Sequence, residues 1–388
     1  MLEGWKSVVI SDLASFQSGG TPNKGEPSYW GGSIPWVTVK DMKLMRLNGV
    51  GESLTKEGAK TVRVVPAGTV LVLVRGMGLF KDLPVVLCNR EVAFNQDIKA
   101  LVPKTGVDSE YLATALIARK SDILRHVDSA GHGTGRLDTD LLKSTPLPLP
   151  PLPEQRKIAE ILRTWDEALE KLTTLRAAKE RQASAIRLSI FEAEYSSHNR
   201  LVRARDLFEP VSERARPDLP LLAVMQDIGI VRRKDLDRRV AMPDGSTSTY
   251  KVVRPGDFVI SLRSFEGGLE YSGITGLVSP AYTVLRPRGE IDGEYYRHFF
   301  KSRSFIGRLD KLIFGIRDGK QIAFRDFGDM LIPAPPLADQ NAQSQAMVSL
   351  ETEMALELKR FEALTQQKRG LMQKLLTGEW PVTLDEED

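Results

Sequence analysis

The chain is poor in the residues that most catalytic and metal sites require. Its one cysteine, Cys88, excludes an internal disulfide and a cysteine-ligated zinc site, and its four histidines have no metal-ligand spacing. It has no GxxxxGKS/T phosphate loop, no GxGxxG turn between a strand and a helix, and no GxSxG nucleophile elbow. The sequence therefore predicts no active site, no metal site and no cofactor in this chain.

Long apolar segments are also missing. The longest, around residues 64–74, is interrupted by Pro66 and Gly68 and is too short to cross a bilayer. The N-terminus lacks the basic and apolar regions of a signal peptide. With 41% hydrophobic and 27% charged residues, the composition is typical of a soluble globular protein, and we expect a cytoplasmic location without membrane contact. The net charge of +3 permits contact with nucleic acid but does not by itself indicate it.

The feature around which the chain is organised is an internal repeat. A proline-rich stretch, residues 146–153, leads into a long charged segment, and residues 335–340 repeat residues 150–155 at a distance of 185 residues. Tyr295 similarly repeats Tyr111, each at the start of a predicted helix. A repeat of this size predicts two copies of one structural unit.

Each copy combines a β-rich block with a long helix. Short runs rich in valine and isoleucine, separated by Gly, Pro and Asn, indicate twisted sheets in both blocks. The predicted fold class is α+β: two β-rich α/β domains joined by two long antiparallel helices that form a coiled coil, with a pseudo-two-fold internal repeat. The expected boundaries are a first domain at 1–150, a helix at 151–195, a second domain at 196–335, a helix at 336–380 and an acidic tail at 381–388.

The two long helices carry apolar residues at alternating spacings of three and four, which is the pattern of a coiled-coil seam. About 40 residues at ~1.5 Å per residue predict a rod of ~60 Å, which could act as a ruler between the two domains. Lys179 interrupts the first seam and Lys368 the second. A helix packed flat on its own domain fits less well, because polar residues cover most of its circumference. The seam residues expected are Ile161, Trp165, Leu172 and Leu175, and then Phe361, Leu364, Leu371 and Leu375.

Polar loops of the two β-rich blocks supply candidates for contact with DNA. Arg and Lys can pair with guanine edges, Asn and Gln with adenine edges, and all of them with phosphate. The alternative for each residue is an ordinary solvated surface charge. Arg75 and Arg263 occupy the same place in both repeats, where the alternative is a structural salt bridge. The candidates are Lys40, Arg75, Lys81, Asn95, Gln96, Thr134 and Arg136 in the first block, and Gln226, Arg232, Arg233, Lys234, Arg263, Arg317, Lys320 and Gln321 in the second.

Five stretches resemble the specificity subunit of type I restriction–modification systems. Residues 15–22 (SFQSGGTP) and 29–37 (YWGGSIPWV) are similar to the opening of a target recognition domain, and residues 94–98 (FNQDI) to a later stretch of that domain. Residues 148–161 resemble the junction into the central conserved region of the family, and residues 368–378 its C-terminal conserved region. The resemblance spans nearly the whole chain.

The resemblance implies a non-catalytic DNA-binding subunit. Each β-rich block would be a target recognition domain that reads one half of a split site through the major groove, and the helical pair would set the spacer. Expected partners are double-stranded DNA, two DNA methyltransferase subunits that methylate adenine, and restriction/translocase subunits. S-adenosylmethionine, ATP and magnesium would be bound by those partners. The chain itself lacks the Asn/Asp-Pro-Pro-aromatic motif of amino-methylating DNA methyltransferases.

The second block departs from the family pattern, because residues 209–214 (EPVSER) stand where the first block has its Gly-Gly-Thr-Pro stretch. The two domains should therefore read different sequences. Two other functions stay open on sequence grounds: a protein-binding scaffold with two β-rich domains on a helical spacer, and an enzyme in its own right. Binding that weakens steeply with salt would favour DNA over a scaffold, and a turnover assay with S-adenosylmethionine and DNA would test the enzyme.

Overall fold

The structure, a computed structural model, describes residues 4–130, 133–196, 200–226, 228–236, 247–260, 268–313 and 324–384, with only the backbone at Ala130 and at 311–313. Its internal contacts divide the chain into two units. The first consists of Met1–Lys171 and Phe361–Asp388, and the second of Leu172–Arg360. The expected α+β fold class is confirmed, because each unit combines β-sheets with helices. None of the described helices is apolar enough over a sufficient length to span a membrane.

The first unit contains two four-stranded sheets. One has the strand order β2-β9-β6-β7 and the other β4-β3-β8-β5, in which only β3 and β8 run parallel. Two short antiparallel pairs, β1–β12 and β10–β11, complete it. Its strands are β1 (Lys6–Val9), β2 (Ala14–Ser18), β3 (Trp30–Val37), β4 (Glu52–Leu54), β5 (Val64–Val65), β6 (Val70–Leu73), β7 (Val85–Leu87), β8 (Val92–Phe94), β9 (Ile98–Pro103), β10 (Val127–Ala130), β11 (Thr134–Leu137) and β12 (Pro146–Leu149).

The helices of the first unit cover the sheets and lead into the long helix. All four residues of β6 are buried, so this strand lies in the middle of the core. The core is mainly aliphatic, rich in valine and leucine, and helix α3 packs on it with six buried residues. The helices are α1 (Ile10–Leu13), α2 (Lys56–Lys60), α3 (Ser109–Ala118), α4 (Lys120–Leu124), α5 (Thr139–Ser144) and α6 (Leu152–Ser196), of which α6 continues into the second unit.

The second unit repeats this plan. Its four-stranded sheet has the order β14-β21-β18-β19, which matches β2-β9-β6-β7, and β13 pairs with β22 as β1 pairs with β12. The strands are β13 (Leu201–Arg203), β14 (Phe208–Val211), β15 (Leu222–Met225), β16 (Gly229–Arg232), β17 (Lys251–Val253), β18 (Phe258–Ile260), β19 (Glu270–Tyr271), β20 (Gly276–Val278), β21 (Thr283–Pro287) and β22 (Leu331–Pro333), and the helices are α7 (Ala204–Leu207), α8 (Gly293–Phe300), α9 (Arg303–Ile313), α10 (Phe324–Gly328) and α11 (Leu337–Leu376).

A matched hydrogen-bond arrangement explains why the proline–glutamine junction occurs twice. Gln155 is 1% exposed; its Oε1 accepts from the backbone N–H of Asp108 at 2.8 Å, and its Nε2 donates to the carbonyl of Pro150 at 2.9 Å. In the second unit Gln340 accepts from Asp292 at 2.9 Å and donates to the carbonyl of Pro335 at 2.7 Å. Because a buried amide must satisfy both of its polar ends, each glutamine fixes the start of the long helix against the cap of a shorter one.

The predicted match between Tyr295 and Tyr111 is correct for helix position but wrong for the side chain. The backbone N–H of each tyrosine donates to the capping aspartate. The hydroxyl of Tyr111 donates to the carbonyl of Pro148 at 2.7 Å, whereas in the second unit Tyr296 makes this bond, to Pro333 at 2.9 Å. The buried Tyr295 hydroxyl has no hydrogen-bond partner among the described residues. The residue that is equivalent to Tyr111 by its hydrogen bond therefore lies one position after the residue that is equivalent by its place in the helix.

The long helices pair antiparallel within each unit. In the second unit Lys179 of α6 contacts Glu353 at 2.6 Å and Glu357 at 3.3 Å of α11, and Arg187 contacts Glu351 at 3.1 Å. In the first unit Lys368 pairs with Asp166. The two lysines expected to interrupt the seams thus lie within them, because carboxylates on the facing helix compensate their charge.

The seam expected on α6 needs one correction. Leu172 is partly buried, but Leu175 is 43% exposed. The buried stripe instead continues from Leu172 through Lys179 to Ala183, which is 2% exposed. Leu175 fits the spacing and is apolar, but Lys179, four residues further on, is the side chain that contacts the partner helix. The other predicted seam residues, Ile161, Trp165, Phe361, Leu364, Leu371 and Leu375, are partly or fully buried.

Candidate nucleic-acid interface

Two arginines of the first unit lie directly opposite each other beyond the end of β6. Arg75 and Arg136 form an antiparallel bridge, flanked by hydrogen bonds from Leu137 N to Val74 O and from Gly76 N to Gly135 O, both 2.9 Å. This pattern defines a non-hydrogen-bonded pair, in which the Cα atoms are only about 4.5 Å apart and the side chains lie close together. Like charges in directly opposite positions destabilise a sheet.

Neither guanidinium forms an ion pair within the part of the chain that the structure describes, and only Arg136 has a nearby carboxylate that interacts with it electrostatically, that of Asp138. Both side chains are exposed and make no hydrogen bond or ion pair there. Asp128 faces Arg136 from β10, but the two side chains are not within ion-pair distance. The salt bridge considered as the alternative for Arg75 is therefore not formed among the described residues, and the two adjacent arginines form an exposed, positively charged surface.

A short turn next to these arginines exposes two large apolar side chains. The 3₁₀ turn Met77–Phe80 begins after Gly76, and Leu79, which is 1% exposed, anchors it in the core. Met77 is 74% exposed and Phe80 53% exposed, and the exposed Lys81 follows. We refer to Arg75, Met77, Phe80, Lys81 and Arg136 as the arginine-turn patch.

Glycine at 135 allows the β10–β11 hairpin to approach this turn. A Cβ at Gly135 would lie 3.0 Å from the carbonyl oxygen of Gly76 and 3.1 Å from Leu79 Cβ, closer than most real contacts. The half-exposed Thr134 begins β11 beside this contact. Of the predicted residues of the first unit, the structure thus brings Arg75, Lys81, Thr134 and Arg136 to one region.

Asn95, Gln96 and Lys40 lie in other surroundings. Asn95 is 9% exposed; its Oδ1 accepts from the N–H of Asp97 at 3.2 Å and its Nδ2 donates to the Asp97 carboxylate at 3.3 Å. This amide holds a turn, which argues against its predicted contact with a base. Gln96 is exposed and accepts from the Thr21 hydroxyl at 2.7 Å, so it links two of the family-like stretches. Lys40 is exposed and lines a separate surface groove.

The aromatic stretch at 29–37 has a structural use. The Lys24 ammonium lies 3.7 Å from the ring centroid of Trp30 and 4.5 Å from that of Trp36, and it pairs with Glu52 at 2.5 Å. The two indoles meet edge to face at 5.2 Å. A cation between two indole faces gains from their ring quadrupoles. The motif therefore stabilises the β3–β4 side of the first unit.

In the second unit, the β15–β16 hairpin and the residues after it carry four of the predicted residues. Gln226 is exposed at the turn, and Arg232 and Lys234 are exposed near its base. Arg233 is half-buried and donates from Nε to the carbonyl of Leu222 at 3.2 Å, so it supports the hairpin instead of being free for DNA. Arg263, Arg317, Lys320 and Gln321 lie outside the described residues.

Sequence reasoning missed Met77 and Phe80. A weak signal existed, because glycines at 76 and 78 bracket Met77 and indicate a turn that cannot bury every apolar residue it carries. Among groups that could react, burial raises the pKa of the Cys88 thiol to about 12, which leaves it protonated. No cluster of His, Cys, Asp or Glu suited to a metal ion occurs over the described ranges.

Comparison with known proteins gives a consistent result. Residues 2–180 match the model of the type I restriction modification DNA specificity domain. The specificity subunit of the Escherichia coli type I restriction enzymes EcoR124I and EcoR124II is 31% identical over 172 residues, which are 44% of this chain and 42% of that protein. The match thus spans less than half of that relative. The MjaVIII specificity subunit of Methanocaldococcus jannaschii is 22% identical over 97% of this chain and 93% of its own length.

Solved structures show the same fold. The type I restriction–modification S subunit from M. genitalium superposes with a TM-score of 0.55 and 17% identity, covering 96% of both chains. At this identity the likeness concerns the fold alone. It extends over both units, whereas the family model reaches only residues 172–180 of the second.

Proposed function

We propose that this chain, whose residues 2–180 match the model of the type I restriction modification DNA specificity domain, is the subunit through which a type I complex recognises its DNA. The observation that carries the proposal is the bridge between Arg75 and Arg136. Two cations held side by side gain most from an anion with several acceptor oxygens, and a DNA phosphate provides one. A base edge of guanine would accept from either arginine in the same way.

In this proposal each unit reads one half of a split DNA site. The units share their topology but differ in exposed side chains, which supports two different half-sites. The paired segments of α6 and α11 set the spacer between the halves and offer surfaces for two DNA methyltransferase subunits. This chain binds and positions DNA without reacting with it. The methyltransferase subunits use S-adenosylmethionine, and restriction/translocase subunits use ATP and magnesium, in the cytoplasm.

The direct experiment maps N6-methyladenine in DNA from cells that express this chain with a type I modification subunit. We expect one split motif, with two unlike halves around a fixed gap. Cells with the modification subunit alone serve as the control. An assembled complex that adds no methylation would contradict the proposal and favour the protein-binding scaffold.

Substitution at the arginine bridge tests the site itself. We expect Arg75→Ala to weaken binding by about 1–3 kcal/mol and to relax the motif in one half only, since it contacts one half-site. Arg125→Ala is the matched control, because Arg125 is 78% exposed in the same unit and pairs weakly with Asp122 at 3.6 Å. Relaxation of both halves would mean that the units do not read independently.

Salt dependence separates DNA binding from a scaffold. Neutralised phosphates release counterions, so the logarithm of the affinity should fall steeply with the logarithm of the salt concentration, with a slope near −0.9 per phosphate contact. If Arg136 contacts one phosphate, Arg136→Ala should reduce that slope by about 1. Partner binding that does not respond to salt would favour the scaffold.

A further inference from the structure

The arginine-turn patch combines exposed cations with exposed large apolar side chains. Arg75, Lys81 and Arg136 are exposed cations, and Met77 and Phe80 are apolar side chains with 74% and 53% of their surface in solvent. Single exposed apolar residues are ordinary. Two of them on one four-residue turn, beside two directly opposed arginines, form a surface that suits a partner with both anionic and apolar groups.

The turn is held in place before any partner binds. Leu79 N donates to Gly76 O at 3.2 Å, and Lys81 N and Asp82 N both donate to Gly78 O at 3.0 Å. Asp82 is further tied to α4 by an ion pair with Lys120 at 2.8 Å. With its backbone fixed in this way, the turn presents Met77 and Phe80 without a large ordering cost.

DNA offers one apolar group at the edges of its bases in the major groove, the C5 methyl of thymine. The cations of the patch can pair with the phosphates at the edge of that groove. Building on the function proposed above, we propose that Met77 and Phe80 determine specificity by contacting thymine methyl groups in the half-site read by the first unit. The arginines position the duplex, and the apolar pair distinguishes thymine from the other bases.

The test removes the methyl group from the DNA. Deoxyuridine pairs like thymine but lacks the C5 methyl, so each thymine in the half-site relaxed by Arg75→Ala is replaced in turn on a duplex oligonucleotide. Dissociation constants are measured for the full chain assembled with its methyltransferase subunits. We expect at least one replacement to weaken binding about fourfold, the effect of exposing one methyl group. In Phe80→Ala or Met77→Ala, that same replacement should have no effect.

The control variant is Leu141→Ala, because Leu141 is also an exposed apolar residue of the first unit, 42% exposed on α5. It should keep the full sensitivity to deoxyuridine. Circular dichroism and complex assembly verify that every variant is folded. Loss of sensitivity in Leu141→Ala as well would overturn the assignment to the turn.

Three results would overturn the inference while leaving the proposed function intact. The first is a half-site with no thymine on either strand, and the second is a sensitivity that persists in both turn variants. The third is a complex insensitive to deoxyuridine in which 2-aminopurine in the half-site becomes fluorescent, which would indicate an inserted apolar wedge instead. Absence of any sequence-specific binding would instead contradict the proposed function.

Discussion

The two units build one topology from different chemistry. Their sheets align strand by strand, so that Val70 opposite Leu101 corresponds to Phe258 opposite Leu285. The first core is mainly aliphatic, whereas the second is a cluster of aromatic rings, with Phe208, Phe258 and Phe300 in contact at about 5–6 Å between centroids. Strand order and helix caps are therefore the same in the two units, while the core residues between them differ.

The difference is sharpest at one matched position. The strand alignment equates Thr69 and Val102 of the first unit with Asp257 and Arg286 of the second. Asp257 is 1% exposed, and its carboxylate accepts two hydrogen bonds from Arg286, at 2.9 and 2.8 Å. Thr69 is fully buried, and its hydroxyl has no partner within the described residues. One unit thus satisfies a buried polar group that the other leaves unsatisfied.

The largest expected effect comes from breaking the Asp257 pair. Asp257→Ala leaves the Arg286 guanidinium without its carboxylate, and we expect the second unit to lose about 3 kcal/mol of stability. Thr69→Val should be neutral or slightly stabilising, because it removes an unsatisfied buried hydroxyl. Urea unfolding, monitored by hydrogen exchange of the amides in each unit, measures the stability change in both variants. Equal losses from the two variants would mean that the units do not differ at this position.

A smaller effect should depend on pH and appear only in the second unit. Burial is the main cause that lowers the pKa of His298 to about 4, and Arg297 is the second. Glu351 raises this pKa; of the remaining neighbours, Arg187 lowers it and Asp292 raises it. Between pH 6.5 and 4 the unfolded chain binds a proton that the folded histidine does not. Stability should therefore fall as the pH drops through this window, by on the order of 2 kcal/mol, and should not depend on this group above it.

The variant His298→Gln isolates this contribution. The wild type minus variant difference in unfolding free energy, measured from pH 7.5 to 4.5, should shrink as the pH falls. Hydrogen exchange of α8 amides reports on the unit concerned, and the first unit has no counterpart among its described residues. A difference that stays constant with pH would contradict a neutral buried imidazole.

The smallest effect concerns the tyrosine exchange. Tyr296→Phe loses the hydrogen bond to Pro333 and should destabilise the second unit by about 1 kcal/mol. Tyr295→Phe removes only an unpartnered hydroxyl and should be neutral or stabilising. Thermal unfolding of the two variants suffices. A larger loss from Tyr295→Phe would show that its hydroxyl has a partner, such as a bound water.

Features set by local chemistry could be predicted from the sequence. The repeated proline–glutamine junctions, the long helices and the β-rich blocks follow from periodicity, proline and capping residues, and most of the predicted seam residues are buried. Leu175 and Lys179 could not be assigned from polarity alone, because the carboxylates that accommodate Lys179 are 174 and 178 residues away in the sequence.

The candidate site was predictable only in part. Arg75 was identified because it recurs in the repeat, but its position opposite Arg136 depends on a bridge between distant strands that no spacing reveals. Asn95 and Arg233 carry suitable side chains, yet backbone groups and neighbouring turns engage them. Residue type indicates what a side chain can bind, whereas the tertiary structure decides whether it is free to do so.

The charged pairs between the long helices also fix their register. A slip of seven residues in one direction would place Lys179 opposite Ala346 and Leu350, and in the other direction opposite Arg360 and Leu364. None of these side chains can accept a hydrogen bond from the lysine or neutralise its charge. An apolar seam would tolerate such sliding far better. Lengthening one helix alone would therefore separate a cation from its carboxylates, so a change in the length of this pair that keeps the ion pairs requires matching changes in both helices.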